Sequence, residues 1–164
     1  MIDEDYVEIR DISTHWARKE LYTFLRRGYI KGDKDNRYRP NEKLTRGELL
    51  LLLSKTRNWE IGKTKGVTSK FKDRDTFGSY ADIIDYVINK GYMKGYKDNT
   101  FRPNQPISYN EIEPIIRKVI GNSTFTWDKI AEDMMYEKYT RSQSYFGKDN
   151  HITRAEVVYL LHRL

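Results

Sequence analysis

The sequence contains no cysteine. This absence excludes disulfide bonds, thiol nucleophiles, thiolate metal sites and thiol redox switches. It does not identify a compartment, because many secreted bacterial proteins also lack cysteine. A chain of 164 residues can nevertheless bury about two thirds of the surface of its unfolded state, so a stable core needs no covalent cross-link.

Long hydrophobic runs are absent as well. The longest apolar run, residues 49–53, is far shorter than the roughly 20 residues that cross a bilayer. We therefore expect no membrane insertion. Residues 1–5 are mostly acidic and do not resemble a signal peptide. The sequence thus predicts either a trimmed mature fragment or a protein that leaves its cell by another route.

Basic blocks are also missing, although the formal net charge is +6. Charges of both signs are interspersed, and no basic run exceeds two consecutive residues. Nucleic-acid-binding arms usually carry longer basic blocks, so we expect no nucleic-acid partner. A wall polymer with carboxylates or phosphates would suit this charge equally well.

The chain repeats itself internally. A shift of 63 places residues 28–32, 34–36 and 38–41 on residues 91–95, 97–99 and 101–104. A further shift of 45 places residues 152–156 on 107–111, which match 44–48 in the first copy. We therefore predict a first repeat over residues 1–57, a linker over 58–69, a second repeat over 70–121 and a shortened third repeat over 122–164.

Each repeat is predicted to contain two helices around a structured loop. Apolar residues recur at helical spacing before Gly28 and again before Gly91, where the first helices should end. A Ser/Thr-x-x-Glu capping box begins the second helices, as Thr45–Glu48, Ser108–Glu111 and Thr153–Glu156. Because Pro114 would interrupt the second of these, a later start at Asn110 with Glu113 is an alternative. The fold class is all-α.

These residues resemble a known family. Residues 11–17, 28–32, 38–41 and 44–48 together are similar to a full S-layer homology repeat, residues 95–104 to its loop, and 152–156 to its signature. The resemblance implies three repeats in a pseudo-threefold arrangement around a central helical bundle. It also implies an extracellular module in the bacterial cell wall or S-layer. Such modules bind secondary cell-wall polysaccharide, often pyruvylated, in grooves between repeats, without catalysis or cofactor.

Within this family pattern, Arg46 and Arg154 occupy the first helical position of two repeats. An arginine fork can bind a pyruvate carboxylate with two hydrogen bonds, and a helix N-terminus favours an anion. We expect these two arginines to act as carboxylate clamps. The supporting contacts should come from Asp11, Trp16, Gly32 and Gly95. Because the second repeat has Tyr109 in place of the arginine, fewer than three working grooves are expected.

Several of these residues also have a purely structural interpretation. Thr-Arg-x-Glu could be only a helix cap with a solvated arginine, Trp16 a core residue, and Asp11 a cap of the first helix. A protein-assembly module or virion component with a protein partner or cargo domain is the second functional hypothesis. It fits the degenerate repeats and the absence of a recognisable signal peptide.

Metal and catalytic sites are not predicted. An EF-hand loop counted from Asp33 would require an oxygen ligand, a glycine and a glutamate where Arg37, Tyr38 and Leu44 stand. The three histidines lack metal-ligand spacing. No pair of carboxylates stands out for glycoside hydrolysis.

Overall fold

A computed structural model of the chain describes residues 8–62, 67–137 and 149–164. Three short 3-10 helices lie at Val67–Lys70, Arg74–Thr76 and Gly78–Tyr80. Within the described ranges there is no strand, only three isolated antiparallel bridges. This confirms the all-α prediction. The described ranges contain six α-helices, which are α1 (Arg18–Arg26), α2 (Arg46–Thr56), α3 (Ala81–Lys90), α4 (Tyr109–Ile120), α5 (Asp128–Glu137) and α6 (Arg154–Arg163).

The first helices end where the sequence predicts. Helix α3 has Gly91 as its C-cap, with φ of 74°, and Gly28 follows the C-cap of α1 with the same φ of 74°. Both glycines adopt the left-handed conformation that terminates helices. The loops that follow are also equivalent, because Arg39 and Arg102 both have positive φ, 62° and 58°.

The second helices begin at their predicted caps. Thr45 and Thr153 each form a complete capping box with their glutamates, and Ser108 accepts a hydrogen bond from the Glu111 N–H. The alternative start at Asn110 is therefore wrong. Pro114 lies inside α4 on an exposed position. Water can thus hydrate the carbonyl that lacks a proline N–H partner.

A ring of backbone hydrogen bonds joins the three repeats. Leu44 N–H donates to the carbonyl of Ile152 (2.9 Å), Ile107 N–H to Leu44 (3.0 Å) and Ile152 N–H to Ile107 (3.0 Å). These three residues are equivalent under the shifts of 63 and 45. The ring therefore marks the pseudo-threefold axis that the family resemblance implies.

Helices α2, α4 and α6 supply most of the central core. In α6 every residue from 155 to 161 is buried, and α2 buries four leucines. Around this centre, α1 packs against α6, and α2 packs against α3. First helices thus pack on second helices of a neighbouring repeat, and this arrangement creates grooves between repeats.

Several sequence predictions fall partly outside the described residues. These are the acidic segment 1–5, residues 63–66 of the predicted linker and residues 138–148 of the predicted third repeat. The first part of the predicted linker is anchored, because Trp59 stacks on Tyr86 and Tyr92 at 4.9 and 5.6 Å between ring centroids. None of the helices in the described ranges is long and apolar enough to span a membrane.

Candidate functional site

A groove of about 410 Å³ lies where the first repeat meets the third. The loop of the first repeat forms one wall, the exposed face of α2 forms the floor, and single residues come from the other two repeats. We call this cavity the first groove. Its lining consists of Tyr29, Ile30, Lys31, Gly32, Asp33, Arg37, Tyr38, Arg39, Glu42, Glu48, Leu51, Leu52, Lys55, Tyr80 and Arg154.

Arg154 reaches the first groove from the third repeat. Its Nε donates to the Tyr38 carbonyl at 3.0 Å, its Nη1 pairs with Glu48, and its Cζ lies 4.3 Å from the centroid of the Tyr38 ring. Burial raises the pKa of the Tyr38 hydroxyl to about 12, although the charge of Arg154 opposes this shift. The Arg154 side chain is 22% exposed, so part of it remains accessible from the groove.

Arg46, the equivalent residue in the first repeat, is buried instead. Its Nε donates to the Phe101 carbonyl (3.0 Å) and its Nη2 to the Lys94 carbonyl (3.1 Å). Its Nη1 lies 3.5 Å from Glu111 Oε2, and only 6% of the side chain is exposed. The reading of the motif as a cap with a solvated arginine is therefore wrong for Arg46. This guanidinium joins the first repeat to the second, and its role as a carboxylate clamp stays a prediction.

Tyr109 completes a ring of contacts that sequence reasoning missed. Its hydroxyl donates to Glu156 Oε2 at 2.5 Å, as Arg46 pairs with Glu111 and Arg154 with Glu48. Each residue at a helix start thus reaches the capping glutamate of a neighbouring repeat. The sequence feature that indicates these contacts is the recurrence of the three glutamates at equivalent positions of the repeats.

Three cations that line the first groove have no ion-pair partner in the described part of the chain. Among the residues that the structure describes, Lys31, Arg37 and Lys55 pair with no acidic side chain. Arg39, by contrast, binds Asp33 at 2.7 Å, and this hydrogen bond lowers the pKa of the Asp33 carboxyl to about 2. The unpaired cations are therefore the groups available to an anionic ligand.

Asp11 and Trp16 lie outside the lining of the first groove. The two carboxylate oxygens of Asp11 accept the N–H groups of Tyr38 (2.9 Å) and Arg39 (2.8 Å). Asp11 thus holds the loop, and it does not cap α1, whose N-cap Ala17 has no side-chain cap. Trp16 is half-buried, with its ring 5.9 Å from that of Tyr159.

Gly32 and Gly95 allow close packing of their loops. A Cβ atom on Gly32 would lie 2.4 Å from Ile9 Cδ1, and one on Gly95 would lie 2.3 Å from Phe71 Cε1 and 3.0 Å from the Thr100 carbonyl. Gly32 also lines the first groove. Of the six predicted site residues, the structure therefore brings Arg154 and Gly32 together there. Arg46 and Gly95 lie at the equivalent positions between the first and second repeats.

The described residues contain no group of three or more histidine or acidic side chains placed to hold a metal ion.

Comparison with known proteins identifies a matching protein family. A sequence model of the S-layer homology domain matches residues 8–50 and 70–112, which fall in the first two repeats. The Cellulosome-anchoring protein of Acetivibrio thermocellus is 35% identical over 86 residues, covering 52% of this chain and 19% of that protein. Cell surface glycoprotein 1 of the same species is 30% identical over 122 residues, covering 70% of this chain and 5% of that protein.

An enzyme is also among the relatives. The Amylopullulanase of Thermoanaerobacterium thermosulfurigenes is 27% identical over 134 residues, covering 75% of this chain and 7% of the enzyme. The chain therefore spans only a small part of the length of the relatives it matches.

Proposed function

The chain belongs to the S-layer homology domain family, and from this premise we propose that it is a non-catalytic anchoring module of the bacterial cell wall. Its ligand is a secondary cell-wall polysaccharide attached to peptidoglycan. Two similar proteins are named for anchoring and for the cell surface, which supports this proposal. The module acts outside the cell, where it holds a cargo domain or a partner protein at the wall.

The observation that supports this function most is the composition of the first groove. Lys31, Arg37 and Lys55 carry positive charge without an acidic partner in the described part of the chain. The same lining includes the exposed Leu51 and the half-buried Tyr80. Unpaired cations attract an anion, and aromatic and apolar side chains can pack against the C–H faces of sugar rings. The groove thus combines the two kinds of contact that an acidic polysaccharide requires.

A carboxylate on the sugar, such as that of a pyruvate ketal, suits this groove. The planar guanidinium of Arg37 can donate two parallel hydrogen bonds to one carboxylate. Lys31 and Lys55 act as point charges and accept a carboxylate or a phosphate. The exposed part of Arg154 adds a further positive group, although Glu48 already compensates its charge.

The test is a pull-down with purified peptidoglycan sacculi before and after treatment with hydrofluoric acid, which strips the attached polymers. Binding to intact sacculi that disappears after stripping is the expected result. Binding that survives stripping would contradict a polysaccharide ligand. No binding to either preparation would favour the protein-assembly alternative, and cross-linking would then identify the partner.

A further inference from the structure

The second groove lies between the first and second repeats and is the counterpart of the first groove. We define it by Arg46, Lys94, Tyr96, Arg102 and Lys118. Under the shift of 63, Lys94 corresponds to Lys31, Lys118 to Lys55 and Arg102 to Arg39. The lysines Lys94 and Lys118 are exposed and, within the described ranges, have no ion-pair partner. The second groove thus retains two of the three unpaired cations of the first.

The two grooves differ at the position of Asp33 and Tyr96. In the first groove, Asp33 Oδ2 lies 2.7 Å from Arg39 Nε, and the cavity is open. In the second groove the Tyr96 ring lies between two guanidinium groups. The ring centroid is 4.7 Å from the Cζ of Arg46 and 4.1 Å from the Cζ of Arg102.

Hydrogen bonds hold the Tyr96 side chain in this position. Its hydroxyl accepts from Gln105 Nε2 at 2.7 Å and donates to Glu111 Oε2 at 3.3 Å. The ring and hydroxyl therefore span the second groove from its loop to the capping glutamate. A ligand would have to break these two hydrogen bonds and separate the ring from two arginines.

We infer that Tyr96 closes the second groove to the wall polymer, and that the residue at this position decides whether a groove of this chain takes a ligand. Because Lys94 and Lys118 are retained at the positions of Lys31 and Lys55, the second groove is a blocked site rather than an absent one. This inference depends on the proposed function, since it assumes that the first groove binds the polymer.

A reciprocal exchange of the two residues tests the inference. The variants are Asp33→Tyr, Tyr96→Asp and the double variant, and the probe is polymer fragment released from sacculi by hydrofluoric acid. Isothermal titration calorimetry counts the sites. Relative to the unmodified chain, Tyr96→Asp should gain one site, Asp33→Tyr should lose one, and the double variant should keep the original number with binding moved to the second groove.

The location of the site is read from a second pair of changes. Adding Lys94→Ala and Lys118→Ala to the double variant should weaken its binding at least tenfold, whereas the same pair should leave the unmodified chain unaffected. Tyr96→Ser accompanies Tyr96→Asp, since it opens the groove without adding charge. Circular dichroism verifies the fold of each variant.

Each outcome has a distinct meaning. If the unmodified chain binds but folded Tyr96→Asp and Tyr96→Ser both gain no site, the inference is overturned while the proposed function stands. An Asp33→Tyr variant that keeps full binding would also overturn it, because the exchanged position would then not control access. If the unmodified chain does not bind the fragments at all, the proposed function itself fails.

Discussion

Replacement of Arg46 by alanine tests whether this arginine stabilises the fold or binds the ligand. The side chain is 6% exposed and donates to the backbone carbonyls of Phe101 and Lys94 at 3.0 and 3.1 Å. Both carbonyls belong to the second repeat, whereas Arg46 starts the second helix of the first. The alanine variant therefore removes a connection between repeats and leaves two carbonyls and Glu111 without this partner.

The magnitude follows from those contacts. A hydrogen bond to a charged group contributes roughly 1.5–3 kcal/mol, and removal of one partner of a buried ion pair costs about 3–5 kcal/mol. Because the Glu111 side chain is 35% exposed, water compensates part of its loss. We expect the Arg46→Ala variant to lose about 3–4 kcal/mol of unfolding free energy, a large part of the stability of a domain of this size.

Urea unfolding followed by fluorescence of the three tryptophans measures this loss by linear extrapolation. Two matched variants set the scale. Arg154→Ala should lose only about 1–2 kcal/mol, because that side chain is 22% exposed and makes one backbone hydrogen bond. Arg46→Lys keeps the charge but not the planar fork, and should lie in between. A folded Arg46→Ala variant that loses less than about 1 kcal/mol and no longer binds wall polymer would refute this account and favour the clamp.

Three further predictions concern the loops and caps. Thr45→Ala removes the capping hydroxyl of α2 and should cost about 1 kcal/mol, measured by thermal unfolding; an unchanged midpoint would show that the cap contributes nothing. Gly95→Ala should lower the free energy of unfolding more than Gly32→Ala does, within about 1–3 kcal/mol. The Cβ added at Gly95 meets the Phe71 ring and the Thr100 carbonyl, whereas the Cβ added at Gly32 meets the tip of the Ile9 side chain. Equal losses in urea unfolding would contradict this. The hydrogen bond from Arg39 lowers the pKa of the Asp33 carboxyl from 3.8 to about 2. The ionised carboxyl should therefore stabilise the loop above pH 3.8, and this stabilisation should disappear as the pH falls through about 2. An Asp33 carboxyl that titrates near 3.8 in a ¹³C NMR experiment would contradict this stabilisation.

Much of the fold follows from local signals in the sequence. The offset of 63 aligns Gly28 with Gly91, and both residues adopt the left-handed conformation that ends a helix. The capping boxes at Thr45 and Thr153 form as expected, because their chemistry involves residues only three positions apart. Such signals depend on neighbours in the chain, and a single sequence contains them.

Contacts between repeats could not be predicted in the same way. The Arg46 guanidinium donates to the backbone carbonyls of residues 94 and 101. Every residue has such a carbonyl, so the sequence does not indicate which ones will accept these hydrogen bonds. The first repeat has Asp33 where the second has Tyr96, inside a loop that is otherwise similar in both repeats. The effect of this difference on each groove depends on where the side chain lies in the folded protein. Pro114 favours a later start of α4, yet the helix begins at Tyr109 because the exposed position of Pro114 makes the proline tolerable.

Alanine replacement of two matched lysine pairs tests where the polymer binds. Lys31 and Lys55 lie in the open first groove, and Lys94 and Lys118 occupy the same positions in the second repeat. Each pair is replaced by alanine, and binding to intact sacculi is titrated by co-sedimentation. We expect the Lys31→Ala/Lys55→Ala variant to bind at least about tenfold more weakly, because charge-assisted contacts contribute more than about 1.4 kcal/mol. The matched pair should leave binding unchanged. Equal binding by both variants would contradict a ligand site in the first groove.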